Sequence, residues 1–246
     1  MAQRKVMLSE PQRSFAHTLF EKYPGFLPTH SLYLDLEGTG GGAEYIVSLF
    51  DPQSSRESHF AWCARTSEAP LTAGDLDAAM GRLGARGGAP RWVVVYSAGQ
   101  REPHERDRLE KLLKSAVWPG AEWVNLLWVV RRSKEMTTAI KAHRNVVFCK
   151  DRIQVRRSLE ALEWEFDIRR PPALRSHSNC YADGQPGEMQ VLKLSAKLAA
   201  NSITAKEENT LRRYCIQDVR SMFAIARRCE RGLFSPRQRA RRASKE

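Results

Sequence analysis

No stretch of this chain approaches the roughly 18 consecutive apolar residues of a membrane-spanning helix, which argues against a membrane protein. Cysteine is sparse and poorly spaced. Cys63, Cys149, Cys180, Cys215 and Cys229 are odd in number, and no two form a C-x-x-C pair. A disulfide scaffold and a structural zinc site are therefore disfavoured, and a reducing cytoplasm is the expected setting. Arg4 and Lys5 are not followed by a long apolar region, so the start does not read as a secretory signal. There is no G-x-S-x-G elbow and no Ser/His/Asp or Cys/His grouping that would announce nucleophilic catalysis. The glycines at 38 and 40–42 lack the Lys-Ser/Thr ending of a phosphate loop and read as a tight turn. The six histidines are isolated and receive no role.

Negative charge is also the minority. Forty Lys and Arg against 28 Asp and Glu give a formal net charge of +12. Such an excess suits a polyanionic partner, whose phosphates release counterions on binding. The 42% hydrophobic content over 246 residues is enough for a real core.

Against that background the segment Ser31-Leu-Tyr-Leu-Asp35-Leu-Glu37-Gly38 stands out. It reads as a buried strand, yet it carries two carboxylates. Residues two apart on a strand point to the same face. Two like charges there repel each other and lose hydration. A positive group between them removes the conflict, and a divalent cation with oxygen ligands, Mg²⁺ or Mn²⁺, is the natural choice.

Far downstream, residues 208–229 read as an amphipathic helix with the apolar stripe Leu211, Cys215, Met222, Ala226, Cys229. Asp218 falls on this stripe, and Tyr214 precedes it by one turn, so the two share a face. A carboxylate in an apolar stripe needs a partner. The strand-borne metal site would supply one, and so would a salt bridge to Arg213 or Arg220.

Asp35-Leu-Glu37-Gly38 and Tyr214-Cys-Ile-Gln-Asp218-Val219 together resemble the first and third motifs of the DEDD 3′–5′ exonuclease superfamily, Tyr subtype. The resemblance is to its YprB-like, ribonuclease-H-like branch, and it spans about residues 30–230. It implies an α/β fold in which three antiparallel strands are followed by parallel strands, with flanking helices. It implies metal-dependent hydrolysis of single-stranded nucleic acid by two Mg²⁺ or Mn²⁺ ions. Asp35, Glu37 and Asp218 would hold the ion that generates hydroxide, with Asp35 bridging to the second ion. A fourth carboxylate would support that second ion, and Tyr214 would orient the attacking water. Glu105 matches the spacing of the fourth position, while Glu102, beside Pro103, competes with it. Where relatives often carry an Asp-Leu pair, this chain has Asn125-Leu126. If that Asp is catalytic, activity is in doubt here; if it caps a helix, Asn serves nearly as well. The Ser158-Leu159 pair resembles a family element that opens a short helix and is expected to be structural. An alternative is a catalytically inactive nucleic-acid-binding module of the same fold. Either would work with a repair or helicase partner supplied in trans, and with no membrane.

The chain divides into an N-terminal extension (1–30) with a helix near Glu10–Lys22, a nuclease-like domain (31–230) and a basic tail (231–246) expected to be loosely attached. Strands are expected at Ser31–Glu37, Ala43–Phe50, Ser58–Ala64 and Arg91–Tyr96, and a strand then a helix within Glu122–Val130. Helices are expected at Ala73–Leu83, Pro103–Ser115, Glu188–Ala200 and Ala205–Arg228, with 133–170 mostly helical. Residues 171–187, rich in Pro and Gly, would form a substrate-facing flap.

Overall fold

The computed structural model describes residues 6–38, 44–54, 60–64, 71–83, 89–97, 104–146, 158–175 and 191–244. The glycine run at 40–42, Glu102, Arg156-Arg157 and the flap residues 176–187 lie outside them.

The chain opens with α1 (Glu10–Lys22), whose Ser9 cap closes a capping box with Gln12. A short 3-10 turn at Pro28–His30 leads into β1 (Ser31–Gly38), followed by β2 (Glu44–Phe50) and β3 (Phe60–Ala64). Then come α2 (Ala73–Leu83), β4 (Trp92–Val95), α3 (His104–Leu113), β5 (Glu122–Asn125) and α4 (Leu126–Arg132). The helices α5 (Lys134–Val146), α6 (Leu159–Glu165), α7 (Val191–Ala199), α8 (Ala205–Leu233) and α9 (Pro236–Ala243) complete the order.

The strands form one mixed sheet in the order β3-β2-β1-β4-β5. β1 pairs antiparallel with β2 and parallel with β4, β2 pairs antiparallel with β3, and β4 pairs parallel with β5. The molecule is thus α/β with helices on both sides of the sheet. Side-chain alternation on β1 explains the layering. Leu32, Leu34 and Leu36 enter a core with Leu76 and Leu83 of α2 and Leu109 of α3. Tyr33 points the other way, into the core built by α1, α4 and α8. Its ring meets Phe223 of α8 edge-on at 5.5 Å, and its hydroxyl donates to the Pro28 carbonyl. Asp35 and Glu37 continue the Tyr33 face, so the expected common face of the two carboxylates is realised towards α8.

Residues 6–30, the described part of the segment set apart by sequence as an extension, contribute to the main core. Phe15, Ala16 and Leu19 of α1 are fully buried, and Phe15 packs edge-on against Phe166 at 5.5 Å. The helix expected near Glu10–Lys22 thus lies with one side in the interior. The basic tail also differs from expectation. α8 runs five residues past Arg228, and α9 follows behind a Ser235–Gln238 capping box. Arg242 lies over the Phe20 and Phe234 rings and donates to the Phe26 carbonyl at 2.8 Å, so a charged side chain fastens this helix through its stem and π contacts.

Candidate metal and phosphodiester site

The site forms where β1 and β4 part. Their parallel pairing runs from Ser31–Trp92 to Tyr33–Val94, and Asp35 lies just beyond it. Crevices outside the carboxyl ends of parallel strands are the usual ligand sites of open α/β sheets. On the other side of β1, the β1–β2 register shifts between Glu37 and Gly38. Such bulges re-aim side chains beside functional sites.

Asp35 is half-buried, its Oδ2 is inaccessible to solvent, and that oxygen has no hydrogen-bond partner among the described residues. Its carboxyl is pushed up to about 7, first by burial and then by Glu105, against the pull of Arg108 and Arg170. Glu105, in the first turn of α3, is buried and close enough to repel Asp35. Glu105 therefore lies beside Asp35, while the other alternative left by the sequence, Glu102, lies outside the described residues.

The third wall is α8. A Thr204–Glu207 capping box starts it, and Leu211, Cys215, Val219 and Met222 bury its inner stripe. That stripe brings Cys215 beside β1. Ligand atoms of Asp35, Glu37 and Cys215 all lie within 4.8 Å of one another. The Cys215 thiol is raised well above its usual value by burial and by Glu37, Asp35 and Asp218; it stands beside Ser48, the cross-strand neighbour of Asp35. The sequence reading made Cys215 only a buried hydrophobe. Its place one position after Tyr214 on the inner face was the available signal.

Asp218 is buried on the same stripe. Its partner is neither Arg213 nor Arg220 but Arg170, 48 positions upstream, whose Nη2 donates to Asp218 Oδ1. Arg170 is itself 1% exposed. Its Nε and Nη2 form a two-pronged contact with Glu163 at 2.9 and 2.7 Å, its Nη1 donates to the Leu174 carbonyl at 3.3 Å, and Glu160 lies 3.6 Å away. Burial alone would lower the Arg170 pKa, but Asp218 and Glu163 hold it well above its ordinary value. Burial pushes Asp218 up, Arg170 opposes this, and Asp35 adds repulsion. The Arg170 guanidinium also lies over the Tyr214 ring, 4.9 Å from its centroid. Burial and the Asp218 charge raise the Tyr214 phenol well above its usual value, so it is a proton donor at neutral pH.

Arg170, Glu160 and Glu163 were not read as functional from the sequence. Arg170 follows Arg169 directly, and nothing in that local sequence marks one of the two as buried. Glu160 and Glu163 sit three apart on α6, one shared face, which was the signal that could have found them. The helix does open at Ser158, which accepts from the Ala161 amide at 3.3 Å.

Asn125 caps α4. Its Oδ1 accepts from the amides of Leu127, Trp128 and Ser97, and its Nδ2 donates to the Ser97 carbonyl at 3.2 Å. An aspartate could accept those bonds but could not donate the last one. Asn125 thus caps α4 and ties β5 to the end of β4.

No family model, curated protein or solved structure matches this chain.

The donor set fits one hard or borderline divalent cation. Asp35 and Glu37 offer carboxylate oxygens, Asp35 includes an orphaned buried one, and Cys215 adds a sulfur nearby. Asp218 is not part of the group that closes within 4.8 Å among the described residues.

Proposed function

We propose that this chain is a metal-dependent nuclease of ribonuclease-H-like fold, hydrolysing phosphodiester bonds of single-stranded nucleic acid from the 3′ end. The observation that carries this reading is the convergence of Asp35 and Glu37 from β1, Glu105 from α3, and Asp218 with Tyr214 from α8 at one strand end. Buried like charges from three separate elements are costly, and catalysis is a common reason to retain them.

Asp35 and Glu37 would hold the divalent cation, Mg²⁺ or Mn²⁺. When bound, the ion would supply a nucleophilic hydroxide at neutral pH and charge stabilisation at the phosphate. Asp35 must give up its proton to bind the ion, because its carboxyl titrates near 7. Glu105 repels the Asp35 carboxylate, a conflict that a cation there would relieve. Tyr214, held protonated, could donate a hydrogen bond that would orient water or a phosphate oxygen. Arg170 fixes the position of both Asp218 and the Tyr214 ring. The basic excess of the chain would draw the substrate in, and α9 holds arginines at 237, 239, 241 and 242, of which Arg242 is engaged in packing. A repair or helicase assembly is the proposed setting.

A second reading, a binding module that has lost catalysis, is favoured by one observation: Asp218 is occupied by Arg170. End-labelled single-stranded DNA and RNA incubated with Mg²⁺, Mn²⁺ or EDTA separate the two. A 3′-end ladder that needs metal and disappears in Asp35→Ala supports the nuclease. Intact substrate with salt-sensitive binding supports the module. Full metal-dependent activity in Asp35→Ala sinks the site assignment.

A further inference from the structure

We infer that Cys215 is a third protein ligand of the cation at Asp35 and Glu37, and that this carboxylate–thiolate set selects a zinc-class transition ion over Mg²⁺. This rests on the nuclease reading of the same site and alters which ion that site retains.

Cys215 and Cys229 are both fully buried on α8, but they differ in what faces them. Cys229 lies in the main apolar core, where burial raises its thiol against the pull of Arg228. Cys215 also has apolar neighbours, Ile46 and Leu198 among them, as a buried thiol usually does. Its sulfur, however, lies within 4.8 Å of carboxylate oxygens of both Asp35 and Glu37, which are as close to each other. Asp35, Glu37 and Asp218 all push its thiol up beyond what burial does.

Two oxygens of the same pocket lack partners among the described residues. Asp35 Oδ2 is inaccessible and has no hydrogen bond. Ser48 is fully buried, and apart from the thiol beside it its Oγ has none either. Ser48 stands opposite Asp35 in the β1–β2 register, so the two side chains share the sheet face towards α8. Buried polar atoms are nearly always satisfied, and a cation bound at Asp35 and Cys215 would satisfy both. The ion takes the Asp35 oxygen, and the Ser48 hydroxyl donates to the sulfur once it is a thiolate. Ser48 already draws the thiol downwards.

The sulfur decides the ion. Mg²⁺ demands octahedral oxygen donors and gives up its waters reluctantly. Zn²⁺ accepts carboxylate oxygen and thiolate together, and three protein ligands leave a fourth position for water. Donors around a tetrahedral Zn²⁺ lie about 3.5 Å apart, which small side-chain rotations reach from a spread of no more than 4.8 Å. On binding, the S–H bond is exchanged for S–Zn and the proton leaves to solvent. The ion's charge replaces the repulsion from the carboxylates that keeps the thiol protonated without it.

The test reads the ion's surroundings rather than turnover. Full-length protein is loaded with sub-stoichiometric Zn²⁺ and examined by zinc K-edge X-ray absorption. The expected shell has one sulfur at about 2.3 Å and otherwise lighter donors. A shell without sulfur, or with more than one, overturns the ligand role. Co²⁺ should give a sulfur-to-cobalt charge-transfer band in the unaltered protein that is absent from Cys215→Ser and from Asp35→Asn. In Cys215→Ser the Zn²⁺ affinity should fall about 100-fold, at the top of what loss of an outer-shell partner does, and the Mg²⁺ affinity less than about 3-fold. A band that survives in Cys215→Ser, or equal losses for the two ions, also overturns it. If that variant does not fold, the zinc shell of the unaltered protein decides. Asp35-dependent Mn²⁺ binding with no sulfur in the zinc shell sinks the thiolate and leaves the nuclease reading standing. No divalent ion held through Asp35 sinks both.

Discussion

Arg170 donates through one nitrogen, Nη2, to both Glu163 and Asp218, and so joins α6 to α8 beneath the carboxylate cluster. All three side chains are under 10% exposed. Removing one member of a buried ion pair leaves an uncompensated charge, which costs about 3–5 kcal/mol. Arg170→Met is expected to destabilise by that order, because Glu163 and Asp218 both lose their cation; Asp218→Asn should cost less, because Arg170 keeps its two-pronged contact with Glu163. The double variant should cost less than the sum of the two, because Asp218 is then no longer a charge without its cation, although Glu163 still is. Urea melts of the four proteins check this, and strict additivity would mean the pair is not coupled.

Asp35 links stability to pH. Its carboxyl titrates near 7 in the folded chain, above its ordinary value of 3.8. The folded state therefore holds this proton more tightly than the unfolded state, and ionisation opposes folding. The contribution is favourable at low pH and is lost as pH rises towards about 7. In EDTA, the step in melting temperature between pH 5 and pH 8 should be smaller in Asp35→Asn than in the unaltered protein. The variant should gain about 1 kcal/mol at pH 8 while losing activity, a trade expected where function maintains unfavourable charge. Added Mn²⁺ should stabilise the unaltered protein more at pH 8 than at pH 5, because binding requires the ionised carboxylate.

Tyr214→Phe keeps the ring beneath Arg170 and removes only the hydroxyl. If the phenol orients the attacking water, kcat should fall about 100-fold with little change in melting temperature. Unchanged kcat would assign Tyr214 to packing alone.

Asn125→Asp distinguishes the cap from a catalytic position. The carboxylate keeps the acceptor for Leu127 and Trp128 but cannot donate to the Ser97 carbonyl, and it places charge at a buried site. A loss of about 1–3 kcal/mol is expected, with no gain in cleavage. Increased metal-dependent cleavage in Asn125→Asp would instead identify a lost ligand.

Much of this was legible before any coordinates. Local chemistry dictates local structure, so α1 and α2 have the bounds that caps and apolar spacing indicate, and the period-two pattern of β1 puts Asp35 and Glu37 on one face. The stripe on α8 likewise turned Asp218 inwards. What periodicity could not supply was the partner of each inward charge. Arg213 and Arg220 are near Asp218 in sequence, yet the ion pair goes to Arg170, brought there by the packing of α6 and the 3-10 turn against α8. Glu105 was one of two carboxylates at a helix start, and only its proximity to Asp35 separated it from a residue serving the helix dipole. The sequence by itself determined which faces carry charge inwards, because side-chain direction follows from strand and helix geometry. Tertiary structure alone decided which charges meet, because a buried ion pair is selected by distance in space and not by separation along the chain.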